Sequence, residues 1–181
     1  MSDPLASRPL CWTRQYLSSY TLSAEDAWTM IQSPPWKCVV AWVTKDSQPV
    51  ACEMAYAILE GQIVLTSTSN RDKVKALRRN PAISLCFSRP GLKQVTVRGH
   101  VEISDDPVRV RQWAEATVAQ MPAPLSTDAR EREIHRYLSP DRLTLTVVID
   151  KIRSFDGAQM FRDERAAESG PDSPPETPAE A

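Results

Sequence analysis

The strongest constraint on this chain is the stretch Gln94–Ile103. Val95, Val97, Gly99, Val101 and Ile103 fall on one side, and Gln94, Thr96, Arg98, His100 and Glu102 on the other. A period of two over ten residues specifies a strand with one buried face and one polar face. The segments before it carry the same β-rich character and are joined by tight turns. Lys37–Thr44, Val50–Ile58 and Gln62–Thr68 read as three strands separated by Lys45-Asp46-Ser47-Gln48-Pro49 and Glu60-Gly61. Connections this short demand antiparallel pairing, because parallel neighbours need crossovers of about a dozen residues.

Helices punctuate the pattern. Ser23-Ala-Glu-Asp26 has the form of a capping box, and Pro34-Pro35 ends the short helix it opens. A second helix runs from about Arg71 to Arg79 and stops at Asn80-Pro81. Ala82–Ser88 is a fourth strand, and Gln94–Ile103 the fifth. Asp105-Asp106-Pro107 opens a helix to about Met121, with proline at its first position. Thr127-Asp128 opens another to about Leu138, and Leu143–Ser154 is the sixth strand. Six strands with tight turns and a few short helices imply a mainly β, α+β fold closed into a small six-stranded antiparallel barrel, since closure removes exposed edges.

The organisation expected is an N-terminal arm over residues 1–22, a barrel domain over 23–162, and a disordered acidic, proline-rich tail over 163–181. Cys11, Trp12, Tyr16, Leu17 and Tyr20 give the arm apolar residues with which to pack. The tail holds six acids and one base. Removing it from the formal charge of −1 leaves 21 basic and 17 acidic residues, a body of net charge +4. So mild a basic excess suits a phosphorylated small ligand better than a long nucleic acid.

Several function classes drop out. No apolar run is long enough to span a bilayer, and the N-terminus lacks the basic flank and apolar stretch of a secretory signal. Cys11, Cys38, Cys52 and Cys86 lack CxxC spacing and read as reduced thiols of a cytoplasmic protein. His100 and His135 do not stand in metal-ligand spacing. With five glycines, at 61, 91, 99, 157 and 170, no P-loop, GxGxxG or GxSxG can be written.

The chemistry concentrates in Thr66-Ser67-Thr68-Ser69-Asn70-Arg71-Asp72-Lys73. A strand ends in hydroxyl and amide side chains, and a helix begins. Its first turn offers free N–H groups and the positive end of the helix dipole, while Arg71 and Lys73 add formal charge. That assembly suits a phosphate monoester. The same residues also allow a plainer reading, in which Ser69 or Asn70 caps the helix and both cations are solvated.

Thr66 to Asn80-Pro81, followed by Ile83–Phe87 and then Lys93-Gln94-Val95-Thr96-Val97-Arg98-Gly99, resembles the FMN-binding split-barrel superfamily, also called the pyridoxamine-phosphate-oxidase-like family. The resemblance covers residues 37–103 and the strand at 143–154. It implies a six-stranded antiparallel split β-barrel. It also implies an oxidoreductase that binds FMN or the deazaflavin coenzyme F420 and transfers hydride to or from a small organic substrate. Lys73 would bind the cofactor phosphate with Arg71 as its partner. Thr66, Ser67 and Thr68 would line the phosphate and ribityl chain, and Cys52, Glu53 and Met54 would run under the ring system. Gln94 would reach the cofactor of the neighbouring subunit in a homodimer. Cys52 and Ala57 stand where pyridoxamine-phosphate oxidases carry an arginine and a lysine. That departure, with the spelling Arg71-x-Lys73-x-x-x-Leu77-Arg78-Arg79-Asn80-Pro81 and the run Pro140-Asp141-Arg142, points to the deazaflavin branch.

A cofactor-binding carrier or sensor without turnover is the second reading. A single-stranded nucleic-acid barrel is the third, and the absence of an aromatic from the polar face of 94–102 argues against it.

Overall fold

The computed structural model describes residues 20–168. The expectations for residues 1–19 and 169–181 lie outside those residues.

Six strands form a closed antiparallel barrel in the order β1-β2-β3-β6-β5-β4. They are β1 (Lys37–Val43), β2 (Pro49–Leu59), β3 (Gln62–Thr68), β4 (Ala82–Arg89), β5 (Lys93–Ser104) and β6 (Arg142–Asp156). The helices are α1 (Ala24–Ile31), α2 (Asp72–Arg79), α3 (Pro107–Ala119), α4 (Thr127–Tyr137) and α5 (Gly157–Glu168). Each strand expected from the pattern is present to within a residue or two at its ends. The final helix is the departure. It continues β6 through Gly157 and carries regular structure six residues into the segment expected to be a disordered tail. The Asp156 carboxylate accepts the Gln159 N–H at 3.0 Å and starts that helix.

β5 buries Val95, Val97, Gly99 and Val101 as its alternation requires. Ile63, Leu65, Leu85, Phe87, Val95, Val97 and Leu145 fill the interior, with Tyr56 among them. Each large apolar side chain removed from water contributes about 1.5–3 kcal/mol. α1 closes one end of the barrel through Ala27, Met30 and Ile31. The buried Tyr56 hydroxyl donates to Ile31 O at 2.6 Å. α3 and α4 pack outside on the β2–β3 hairpin, where Trp113 joins Ala57 and Val64, and Trp113 Nε1–H donates to Val64 O at 2.9 Å.

Two glycine positions are sterically fixed. Gly61 (φ +75°) follows Glu60 (φ +51°) in a two-residue hairpin turn that needs positive φ at both positions. Gly99 sits where β5 and β6 slip register, and a Cβ there would collide with the Val148 carbonyl oxygen. The residue with no partner in the register slip is Asp150, whose Oδ1 lies 3.4 Å from His100 Nδ1.

One feature of the register positions the site. β2 and β3 pair only from Tyr56–Leu59 to Gln62–Leu65. Beyond that they diverge. β2 continues along β1 through Pro49–Ala55, and β3 continues along β6 through Thr66–Thr68. The barrel is therefore split between these two segments, and α2 lies at the opening, with Val74, Ala76 and Leu77 buried.

Candidate functional site

The opening has two lips and a helix beside it. Cys52, Glu53 and Met54 lie on the β2 lip, Thr66, Ser67 and Thr68 on the β3 lip, and Lys73 in the first turn of α2. The Tyr56 N–H turns toward β1, donating to Trp36 O at 3.2 Å. Strand alternation then turns the main-chain groups of Glu53 and Ala55 toward the opening, free of a strand partner.

Lys73 is half-buried. Its Nζ lies 3.3 Å from Cys52 Sγ, 3.5 Å from Met54 Sδ and 5.6 Å from the centroid of the Trp42 ring. Thiol and thioether sulfurs are weak acceptors. Among the described residues no carboxylate pairs with this ammonium. The plainer reading of Ser69 and Asn70 as helix caps does not hold. The N-cap position belongs to Arg71, no side chain bonds the first turn of α2, and the Thr68 hydroxyl donates instead to Asn70 Oδ1 at 2.7 Å. The first-turn N–H groups and the Lys73 ammonium thus share one uncapped helix start.

The remaining expected residues distribute as follows. Thr66 and Ser67 are buried, and alternation divides them: Ser67 follows Ile63 and Leu65 on the interior face, whereas Thr66 follows Val64 on the face covered by α3 and α4. Arg71 is exposed. Glu53 points outward into an ion pair with Lys37 at 3.3 Å, and Glu60 binds Arg109 at 2.8 Å, so these acids belong to separate surface pairs. Gln94 does not reach the opening of its own chain. Gln94 stands on β5, two ladders from β3 by way of β6 and three from β2 by way of β4 and β1, on the far side of the barrel from the opening. Its side chain is exposed beside Phe155.

Two further residues lie at the opening; the sequence marked Arg142 only as part of the run Pro140-Asp141-Arg142, and Trp42 not at all. Arg142, the first residue of β6, pairs with Thr68, and its Nη1–H donates to Thr66 Oγ1 at 2.9 Å. Its guanidinium lies over the Tyr137 ring, 5.6 Å from the centroid, and its Nε is buried without a partner. Burial pulls its pKa below the ordinary arginine value, against a smaller upward effect of Tyr137. Trp42 is the second, on the inner face of β1. The deeper thiol, Cys38, is pushed up to about 12, first by burial and then by the neighbouring thiols and Glu53. It is a core residue, inert at neutral pH.

A closed six-stranded barrel with an ammonium that no carboxylate pairs among the described residues, beside its β2–β3 opening, defines a class: a small antiparallel β-barrel with a cationic opening. The family follows from the sequence. The family model described as pyridoxamine 5'-phosphate oxidase matches residues 29–155, and the chain belongs to that family. No curated protein matches the sequence. Among solved structures it is similar to Rv2991, a conserved hypothetical protein of Mycobacterium tuberculosis, with 20% identity, TM-score 0.70, and 78% of this chain and 89% of that chain covered. It is also similar to an F420 reductase, with 22% identity, TM-score 0.52, and 67% and 92% covered. A FAD-binding protein from Mesorhizobium loti gives 19% identity, TM-score 0.52, and 74% and 94% covered. A heme-binding protein shares the fold as well, so the fold alone does not select the ligand. Among the described residues no helix is long and apolar enough to cross a membrane.

Proposed function

We propose that this chain is a flavin- or deazaflavin-dependent oxidoreductase whose opening between β2 and β3 holds FMN or coenzyme F420. The observation that carries the reading is Lys73, a half-buried ammonium with two sulfurs and a ring for neighbours and, among the described residues, no carboxylate. A half-buried cation without a counter-charge attracts one, and a phosphate drawn to the start of α2 supplies it. Lys73 binds the phosphate, with Arg71 at the rim. On the β3 lip the Ser67 hydroxyl serves the phosphate and ribityl chain from the interior face, while Thr66, held by Arg142, and Thr68, bonded to Asn70, form the lip on the other face. In the run Cys52, Glu53, Met54 under the ring, the main chain of Glu53 supplies a donor and an acceptor to the ring edge, and the side chains of Cys52 and Met54 face inward beside Lys73.

When bound, such a cofactor supplies the hydride chemistry, so the protein needs binding, orientation and electrostatics and no acid/base dyad. That fits an opening without a paired carboxylate. The substrate is a small organic molecule.

The working unit in this reading is a homodimer. Val39, Ala41, Ala51, Ala55, Ser84 and Cys86 make a small-residue outer face over β1, β2 and β4, with Val39 well exposed. Two-fold pairing through this face would carry Gln94 of one subunit toward the cofactor of the other.

The test is titration of purified protein with FMN and with F420, followed by absorbance and by ultracentrifugation. Binding of one of them to a dimer, lost on Lys73→Ala, is expected. Binding of both cofactors with unchanged affinity in Lys73→Ala would overturn the phosphate site, and a cofactor-loaded monomer of about 20 kDa would overturn the shared site.

A further inference from the structure

Lys73 raises a question that the phosphate reading leaves open: what keeps a long, flexible ammonium inside the opening when no carboxylate holds it there. Three side chains touch it, and all three point inward from β1 and β2. Cys52 stands opposite Val40, Met54 opposite Cys38, and Trp42 continues the alternation Cys38, Val40, Trp42 along the inner face of β1. The sulfurs accept weakly. The indole of Trp42, only 8% exposed, carries the ammonium over its face with Nζ 5.6 Å from the centroid.

A ring and a carboxylate hold a cation with opposite consequences. A carboxylate cancels the charge, and an incoming phosphate has to displace it. A ring attracts the cation through its quadrupole and leaves the formal charge uncancelled. Among aromatic side chains tryptophan provides the strongest such surface. Burial keeps the Trp42 ring fixed, so the position of the ammonium is fixed with it, and the ordering entropy of the lysine chain is met before a ligand arrives.

We infer that Trp42 is a positioning residue for Lys73, holding its ammonium in the opening in a charged, unpaired state for the phosphate of the cofactor. The inference rests on the reading of the opening as a phosphate site, and it adds a residue on a different strand that never touches the phosphate.

The experiment compares a phosphate-bearing cofactor with its phosphate-free counterpart: FMN with riboflavin, or F420 with the corresponding deazariboflavin, using whichever cofactor the wild type binds. Trp42→Met replaces the ring with a flexible apolar chain. It should weaken the phosphate-bearing cofactor about 3- to 10-fold and leave the phosphate-free one within about twofold. Trp42→Phe keeps a weaker ring and should fall between wild type and Trp42→Met. If Trp42→Met does not fold, the Trp42→Phe ratio carries the comparison. In a Lys73→Ala background neither substitution should change the ratio further, because Trp42 acts through the lysine. A purely structural role for Trp42 would weaken both ligands equally and would persist without Lys73; either result overturns the inference. An unchanged ratio in wild type, Trp42→Met and Trp42→Phe overturns it as well while leaving the cofactor site standing. Wild-type protein that binds neither FMN nor F420 removes the phosphate reading, and this inference with it.

Discussion

Two sets of cations in this protein contrast, apart from Arg89, which is held by the carbonyls of Met30, Ser33 and Ser88. Around the outside of the barrel they sit on carboxylates: Lys37 on Glu53, Lys75 on Asp72, Lys93 on Asp156, Arg109 on Glu60, Arg111 on Glu115 and Glu131, and Arg136 on Glu133. At the opening they sit on rings: Lys73 over Trp42 and Arg142 over Tyr137, with no carboxylate beside either among the described residues. Solvent screens the first group, and exposed pairs of that kind contribute about 0–1 kcal/mol each. The second group is half-buried and unneutralised, a costly state in a protein that has acids available elsewhere. In the proposed reading, the difference marks where the negative charge of a cofactor arrives from outside the chain.

The most direct way to break the comparison is to give Lys73 the carboxylate it lacks. Cys52→Asp puts an acid where a sulfur now lies 3.3 Å from Nζ. The ion pair neutralises the lysine and repels a phosphate, and cofactor affinity should fall about 100-fold or more, since one charge-assisted contact of about 1.5–3 kcal/mol is lost and a like charge is added. Unchanged affinity by titration would show that Lys73 is not the anchor.

Removing the cation itself is the next effect in size. Lys73→Ala should weaken the cofactor roughly 10- to 100-fold. Lys75→Ala, two residues along the same helix and paired with the exposed Asp72, should change it less than about twofold. If both variants lose affinity alike, long-range charge and not placement is responsible, and raising the salt concentration will separate the two.

Arg142 sharpens the comparison from the other side of β3. Arg142→Gln removes the guanidinium from Thr66 and Tyr137. Cofactor affinity should fall about tenfold, while stability to urea should change by less than about 1 kcal/mol, because a buried unpaired charge stabilises little. Arg109→Ala should do the reverse, leaving affinity alone and costing up to about 1 kcal/mol through its ties to Glu60 and Gln62. A stability loss without an affinity loss in Arg142→Gln would move that residue into the structural group.

The sequence carried the barrel well because strand signals are local. The alternation at Gln94–Ile103, the Glu60-Gly61 turn and the Asn80-Pro81 stop each act within a few residues, and the β1–β2, β2–β3 and β4–β5 ladders follow from short connections, whereas β1–β4, β3–β6 and β5–β6 join distant segments. The helix at Gly157–Glu168 was missed because composition dominated the reading: acids and prolines further along masked a start fixed by the Asp156 cap. The site was legible only where it is contiguous. Thr66 to Lys73 announces itself as a strand end followed by a helix. Trp42 and Arg142 join it through register alone, one by facing inward on β1 and the other by standing opposite Thr68 across the β3–β6 ladder. No local pattern distinguishes Trp42 from the other four tryptophans, and the run Pro140-Asp141-Arg142 marks a strand start without saying that its arginine meets Thr66. The split itself is a difference in how far two ladders run, and that exists only once β2 has chosen β1 and β3 has chosen β6.

The smallest effect belongs to the best-built pair of the carboxylate group, Lys93 and Asp156. One oxygen of Asp156 faces Lys93 Nζ at 3.4 Å and the other accepts the Gln159 N–H at 3.0 Å. Burial pushes the pKa of this carboxyl up, but the Gln159 N–H and the Lys93 ammonium outweigh it, and the net shift is downward. A carboxyl whose pKa is lower in the folded chain than in the unfolded one stabilises the fold above the unfolded value, about 3.9 for aspartate, and that contribution is lost as the pH falls through the lowered value. Asp156→Asn retains a side chain able to cap α5 and removes only the charge. Urea unfolding of wild type and Asp156→Asn from pH 7 to pH 2.5 should show wild type ahead by up to about 1 kcal/mol at neutral pH, with the gap closing between about pH 4 and the lower end. Cofactor affinity should be the same in both proteins at pH 7. A gap that stays constant across the whole range would assign the Asp156 contribution to its hydrogen bond, and a change in affinity would carry the influence of the paired cations into the opening, where the comparison excludes it.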